Sequence, residues 1–315
     1  MSQLRREVLD WLGDGLAAPG RERDVLRAAA LVPSRAQWRA FLSALTLWLG
    51  VAALAAAIIF FFAFNWDALH RFAKFAMVEA AILAALLALW RFGLDTPAGK
   101  ATLVLLSLFT GALLALTGQV YQTGADAWEL FAWWALLILP WVLVGRFSPL
   151  WLLWLAIADL AVCFHASTGF LPDTDTLFWS ALALNTAALA AWEGAHRAGI
   201  RWLRDDWPPR VAAIPAGIAA TGLGLTAVLD DGRWAELAGY LLWVGVMVLW
   251  YRRVRLDLFM LAGAILSGIV VITGFLTRHL LGDAAGGFLV VGLVIIGMAG
   301  GGATWLRTLA REGGT

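Results

Sequence analysis

The chain has 315 residues, of which 62% are hydrophobic and 14% are charged, and its net charge is +1. Ordinary globular proteins are about 45 to 50% apolar, so this composition excludes a soluble fold. The charged residues lie in short patches between apolar stretches that are long enough to cross a bilayer core of about 30 Å. We therefore expect an all-α polytopic membrane protein with about ten transmembrane helices. The near-zero net charge gives no general attraction to nucleic acid, and we predict no such partner.

Residues 1–40 are predicted to form a cytoplasmic amphipathic helical segment. Leu4, Val8, Trp11 and Leu12 recur at helical spacing between charged residues. This pattern is typical of a helix that lies against lipid headgroups, and docking of a partner is the alternative. The segment has no apolar run followed by small residues, so we expect the first membrane span to direct insertion itself.

Ten apolar stretches follow, and each is predicted to be a transmembrane helix. The predicted spans are 41–64, 72–90, 101–119, 130–144, 150–165, 176–192, 211–229, 237–251, 258–277 and 288–306. Spans one to five form a membrane half at residues 41–165 with a polar outer-face motif, and spans six to ten form a Gly-rich half at residues 166–315. Trp residues near the ends of the shorter spans are typical of interfacial anchors, so the helices should extend beyond these apolar cores.

Basic residues divide unevenly between the two ends of these spans. With the N-terminus inside, 19 of the 23 Lys and Arg residues fall on the cytoplasmic side. The other four are Arg71, Lys74, Arg233 and Arg278. The positive-inside rule therefore predicts that both termini are cytoplasmic.

Charged residues also lie inside the predicted spans, where an unpaired charge near the bilayer centre costs about 2.5 to 3.5 kcal/mol. Lys74 and Glu79 are in span two, and Asp159 is in span five. At about 1.5 Å of rise per residue, both acids lie about 12 Å below the outer surface. We expect Lys74, Glu79 and Asp159 to form one polar binding site in the outer half of the bundle.

The outer connections add polar side chains to this candidate site. The connection between spans one and two contributes Asn65 and Asp67. In the connection between spans three and four, polar groups are denser than in any other stretch with so little positive charge. Hydrocarbon cannot satisfy such groups, so we expect this stretch to re-enter the membrane or roof a cavity, with a hydrogen-bonded loop as the alternative. Its candidate binding residues are Gln119, Tyr121, Gln122, Asp126, Trp128 and Glu129.

The second membrane half has few polar groups inside its spans. Asn185 and Thr186 in span six are expected to form hydrogen bonds between helices. Gly297 and Gly301 in span ten have the GxxxG spacing, which predicts a close helix contact at these two positions.

Familiar metal-binding and catalytic motifs are missing from the sequence. Cys163 is the single cysteine, and His165 near it has no second Cys or His pair. The sequence has no phosphate-binding Gly-rich loop ending in Lys and Ser or Thr, no HExxH and no GxSxG. We therefore predict no metal site, no cofactor and no ATP-driven pump.

Two stretches of the chain resemble the bacterial domain-of-unknown-function 2157 family of predicted membrane proteins. They are FAFNWDALHRFAKFAMVEAAI at 62–82 and GQVYQTGADAWELFAWWALLILPW at 118–141. The resemblance covers about residues 1–165. It implies a bacterial inner-membrane protein, often encoded near other small envelope membrane proteins, and it supplies no catalytic residues.

Three functions remain open at this point. The first is a proton- or ion-coupled transporter or exporter of a small envelope-related solute, with Glu79 or Asp159 as the titrating carboxylate and Lys74 as its partner. The second is a non-catalytic scaffold or assembly partner in cell-envelope biogenesis, whose partners would be membrane lipid and another small envelope membrane protein. The third is a membrane enzyme that uses the outer-loop carboxylates as acid and base, and we favour it least.

The predicted orientation is testable by cysteine labelling in intact cells. In a Cys163→Ser background, a single cysteine in the 252–257 loop should be shielded from an impermeant thiol reagent, because the positive-inside rule places this loop in the cytoplasm. A cysteine at Thr123 should react, because that connection is predicted to face outward. Reversed labelling would contradict the orientation, and failure at Thr123 alone would indicate that the connection folds into the membrane.

Overall fold

A computed structural model describes residues 31–64, 70–122, 124–168, 173–203, 205–280 and 285–312, together with 8, 10–14, 21 and 24–26. The described residues form helices and their connections, with no β-strand among them, which confirms the all-α class. Most of the amphipathic segment predicted at residues 1–40 lies outside the described residues.

Ten long helices occupy the described part of the chain. In chain order they are α1 (Arg35–Phe64), α2 (Arg71–Phe92), α3 (Pro97–Tyr121), α4 (Ala127–Gly145), α5 (Ser148–Ala166), α6 (Thr174–Arg197), α7 (Trp207–Leu229), α8 (Trp234–Arg253), α9 (Leu258–Leu280) and α10 (Ala285–Glu312). A 3-10 helix at Arg201–Leu203 connects α6 to α7. Each predicted span lies inside one of these helices, which extend past the apolar cores at one or both ends.

Among the described helices, eight are long and apolar enough to cross a membrane: α2 to α5 and α7 to α10. The protein is therefore a multi-spanning membrane protein. Helices α1 and α6 are outside this set, and α6 carries the charged residues Asp175, Glu193 and Arg197. A total of ten spans and the cytoplasmic position of the termini stay predictions.

Short polar side chains cap several of the helices. Asp173 precedes α6, and its carboxylate accepts hydrogen bonds from the Thr176 hydroxyl at 2.6 Å and the Thr176 backbone N–H at 2.9 Å. These two hydrogen bonds hold the pKa of Asp173 below its usual value. Asp257 caps α9 in the same way, accepting from the Phe259 backbone N–H at 2.9 Å. Such caps satisfy backbone donors that a helix start leaves unpaired.

The chain folds as two compact units, residues 1–108 and 109–315. The first unit contains α1, α2 and the first half of α3, and Val78, Leu103 and Leu106 are buried in it. In the second unit α7 is the central helix, because it contacts α5, α6, α8 and α9. Small residues on α7 such as Ala216 and Ala220 are fully buried, and they let the neighbouring helices approach closely.

The predicted close contact at the GxxxG pair of α10 is wrong within the described residues. A Cβ atom added at Gly297 or Gly301 would meet no atom within 4 Å. A Cβ atom added at Gly302 would lie 2.8 Å from a methyl carbon of Ile265 on α9. One residue turns the helix by about 100°, so the contact uses the glycine next to the predicted one.

Candidate functional site

The site residues predicted in the first unit lie on α2 or outside the described residues. Lys74 is buried, with 7% of its surface exposed, whereas Glu79 is exposed. The two side chains are five residues apart, about 140° around the helix, so they lie on different faces of α2. Asn65 and Asp67 lie outside the described residues.

The dense polar stretch of the second unit forms a helix end, a short connection and a helix start. Gln119 and Tyr121 are exposed in the last turn of α3. Gln122 follows with a positive φ of 45°, and Asp126 is exposed at the start of α4. Thr123 lies outside the described residues, and the choice between a re-entrant segment and a loop stays a prediction.

The other two candidates from this stretch lie in the first turn of α4. The Trp128 ring meets His165 of α5 edge-on, with the ring centroids 4.9 Å apart, and Glu129 is half-buried. One turn further along α4, Phe131 stacks on Phe164 at 5.1 Å. Aromatic pairs are worth about 0.5 to 1.5 kcal/mol beyond the area that they bury. These two contacts hold the start of α4 against the end of α5.

Asp159 lies deeper in the second unit and is bonded to Asn185. Asp159 is seven residues before the end of α5, which places it about 10 Å along the helix from that end. The Asn185 side-chain Nδ2 donates to Asp159 Oδ1 at 2.6 Å, and also to the backbone carbonyl of Ala181 at 3.0 Å. The predicted interhelical hydrogen bonding of Asn185 is therefore confirmed.

The side-chain oxygen of Asn185 lacks a donor. Asn185 has 0% of its surface exposed, and among the described residues no group donates a hydrogen bond to its Oδ1. A buried acceptor left without a partner costs about 1 to 3 kcal/mol. The Asp159 carboxylate next to it has no cation partner in the described part of the chain. This pair of oxygen-bearing groups is suited to hold a proton or a small cation.

The structure describes Lys74 and Glu79 in one unit and Asp159 in the other. That Lys74, Glu79 and Asp159 form a single site therefore stays a prediction. Of the predicted site residues in the second unit, Trp128 contacts α5 and Asp159 contacts α6. Gln119, Tyr121 and Asp126 are exposed.

Hydroxyl and indole groups make further contacts between helices of the second unit. The Trp243 indole N–H of α8 donates to Thr186 Oγ1 of α6 at 2.9 Å, which confirms the second predicted interhelical group. The hydroxyls of Thr221 on α7 and Ser267 on α9 lie 2.7 Å apart. A hydroxyl residue in a span gives little signal by itself, because it can also bond the carbonyl one turn earlier, as Thr221 does with Gly217.

A buried charged network was missed by the sequence-based predictions. Glu193 of α6 is buried, and its Oε1 accepts a hydrogen bond from the Tyr251 hydroxyl at 2.9 Å and from Arg255 Nη1 at 2.8 Å. Arg255 also pairs with Asp206. The only available signal was the polar end of span six, where Glu193 directly follows the predicted apolar core.

The network keeps Arg255 charged. Burial lowers the pKa of Arg255, but the hydrogen bonds and charges of Glu193 and Asp206 outweigh burial and leave the pKa above its usual value. Because Glu193 is on α6, Asp206 precedes α7 and Arg255 follows α8, the network ties three helix ends together.

Removing one member of this network should cost more stability than removing two. Arg255→Met leaves the Glu193 carboxylate buried without its cation, a change that costs about 3 to 5 kcal/mol when a buried pair is broken. The double variant Glu193→Gln, Arg255→Met should recover part of the loss. Thermal unfolding of the purified protein in detergent measures both effects, with the exposed neighbour in Arg253→Met as the matched control. Losses that simply add would contradict the network.

Comparison with known proteins finds a similarity in the N-terminal part of the chain. No curated protein and no solved structure matches this chain. The family model described as predicted membrane protein (DUF2157) matches residues 9–151. The matched region includes the polar stretch between α3 and α4 and ends before Asp159 and Asn185. The match confirms the resemblance seen in the sequence: residues 9–151 are similar to the DUF2157 family of predicted membrane proteins.

Proposed function

We propose that this protein is a transporter or exporter of a small envelope-related solute, and that Asp159 is the group that binds the coupling proton or ion. The observation that carries the proposal is the 2.6 Å hydrogen bond between Asp159, on the apolar helix α5, and the fully buried Asn185 of α6. Ionisable residues within membrane spans are costly and mark proton or ion pathways in pumps and transporters.

The Asp159–Asn185 pair offers two arrangements that differ by one proton. As a carboxylate, Asp159 accepts from Asn185 Nδ2, and Asn185 Oδ1 has no donor among the described residues. As a neutral acid, Asp159 carries an O–H that can donate to Asn185 Oδ1 after a small rotation of either side chain. The proton comes from water on one side of the membrane and leaves to water on the other, so no covalent chemistry is required.

The proposal extends to the polar residues of the outer half. Lys74 would be the cation that stabilises an ionised acid, with Glu79 as a second carboxylate of the same site. The solute would contact the outer-face residues, which are Asn65, Asp67, Gln119, Tyr121, Gln122, Asp126, Trp128 and Glu129. The proposed location is the bacterial inner membrane, with both termini in the cytoplasm.

The alternative function is a scaffold or assembly partner in the cell envelope. The ring contacts between Trp128 and His165 and between Phe131 and Phe164 favour it, because the predicted site residue Trp128 and its neighbours serve to hold α4 against α5. In a scaffold the Asp159–Asn185 hydrogen bond would serve helix packing alone. Its partners would be membrane lipid and another small envelope membrane protein.

Ion flux in proteoliposomes distinguishes the two functions. A potassium diffusion potential drives ions into the vesicles. Proton entry is measured with a pH-sensitive dye inside the vesicles, and sodium entry is measured with labelled sodium ions in a parallel assay. We expect flux of one of these ions above that of empty vesicles, and Asp159→Asn should reduce it to the empty-vesicle level because the amide cannot ionise. Asp95→Asn, at an exposed residue between α2 and α3, is the matched control and should leave the flux unchanged.

Two outcomes would contradict the proposed function. The first is flux in Asp159→Asn equal to that of the unmodified protein. The second is the absence of both proton and sodium flux from a protein whose melting temperature shows that it is folded. Retention of a stoichiometric envelope protein during purification, together with the second outcome, would support the scaffold.

A further inference from the structure

A cavity of about 660 Å³ opens between α7 and α9 of the second unit. Its volume lies within the range of about 300 to 1,000 Å³ that is usual for binding sites of small molecules. Apolar side chains form most of its walls, and the hydroxyl pair of Thr221 and Ser267 lies within it. We call this cavity the α7–α9 groove.

Glycines widen the α7–α9 groove, and exposed aliphatic residues border it. Gly217 of α7 and Gly263 of α9 line the groove, and a Cβ atom added at Gly263 would meet no atom within 4 Å. Ile218 and Leu266 also line it and have 65% and 62% of their surfaces exposed. Both helices are long and apolar enough to cross a membrane, so the groove faces a medium in which an apolar occupant is favoured.

The length of the groove matches one leaflet of a bilayer. Its α7 side runs from Ala213 to Leu225, twelve residues or about 18 Å, and its α9 side from Phe259 to Val270, eleven residues or about 17 Å. One leaflet is half of a hydrocarbon core of about 30 Å, or about 15 Å. An apolar groove of this length and volume can hold a single acyl chain.

One end of the groove carries basic side chains. Arg210 is one turn before Ala213 on α7 and lies on the same helix face. Its Nε donates to Asp257 Oδ2 at 2.9 Å, and 41% of the Arg210 side chain remains exposed. Its two terminal nitrogens donate to no group among the described residues. Arg252 and Arg253 are exposed at the same end, where α8 finishes. Guanidinium groups bind phosphate well, and in the described part of the chain Arg252 and Arg253 have no carboxylate partner, whereas Asp206 beside this end is paired with Arg255.

We propose that the α7–α9 groove binds one acyl chain of an anionic glycerophospholipid, with the phosphate of that lipid at Arg210. The acyl chain would replace the missing apolar neighbours of Gly217, Gly263, Ile218 and Leu266. The headgroup selectivity would come from the free N–H groups of Arg210. This site is separate from Asp159, so the proposal stands or fails independently of ion transport.

Native mass spectrometry of the full-length protein in detergent tests the site. The delipidated protein is mixed with equal amounts of phosphatidylglycerol and phosphatidylcholine that carry identical acyl chains. We expect one phosphatidylglycerol to remain bound in preference to phosphatidylcholine. Gly263→Leu should lower this retention about tenfold, equal to about 1.4 kcal/mol, because its side chain occupies the groove. The matched control is Gly245→Leu on α8, which also points into open space but lies outside the groove.

A second variant separates the headgroup from the acyl chain. Arg210→Gln with Asp257→Asn removes both charges together, so no buried charge is left unpaired, and it should abolish the preference for phosphatidylglycerol while a lipid is still retained. Equal retention in Gly263→Leu and Gly245→Leu would overturn the proposal, as would equal binding of the two lipids by the unmodified protein. A lipid-free dimer that Gly263→Leu dissociates would overturn it in favour of a second copy of the chain.

Discussion

Hydrocarbon offers no hydrogen-bond partner, and this constraint explains the polar contacts of the second unit. Glu193 bonds to Tyr251 and Arg255, and the Thr221 and Ser267 hydroxyls bond to each other. Each of these groups forms hydrogen bonds within the protein in place of those that it would form with water. In the described part of the chain four buried side-chain atoms depart from this rule: the indole nitrogens of Trp151, Trp192 and Trp250, and the Asn185 side-chain oxygen. Of these, the Asn185 oxygen belongs to a side chain that is bonded to a carboxylate, that of Asp159. That departure is why the Asp159–Asn185 pair is the strongest functional candidate.

The helices were predictable from sequence, because bilayer thickness fixes the length of an apolar stretch. The sequence predicted that Asn185 and Thr186 form hydrogen bonds between helices, since amides and hydroxyls within spans need interhelical partners. The identity of those partners depends on which helix faces meet. The spacing of Gly297 and Gly301 carries no such information, and the contact falls at the next residue, Gly302.

Two features could not be predicted from the sequence. They are the buried network around Glu193 and the α7–α9 groove. Glu193 follows an apolar core that stops one residue earlier, so a hydropathy pattern assigns it to the membrane surface, whereas α6 continues to Arg197. The groove is lined by ordinary apolar residues and glycines, and its shape arises only when α7 and α9 lie side by side. Trp243 lines the groove and bonds to Thr186, which follows Asn185 in the chain.

The proposed role of Asp159 is tested most directly in its proton form, in which Asp159 takes up and releases a proton. Infrared difference spectroscopy of the purified protein, recorded between acid and alkaline pH, observes carboxyl groups directly. We predict a carbonyl band of a protonated carboxylic acid that is absent from Asp159→Asn and shifted in Asn185→Leu, because the amide hydrogen-bonds to this carboxyl group. Difference spectra that are identical for the unmodified protein and Asp159→Asn would contradict the claim.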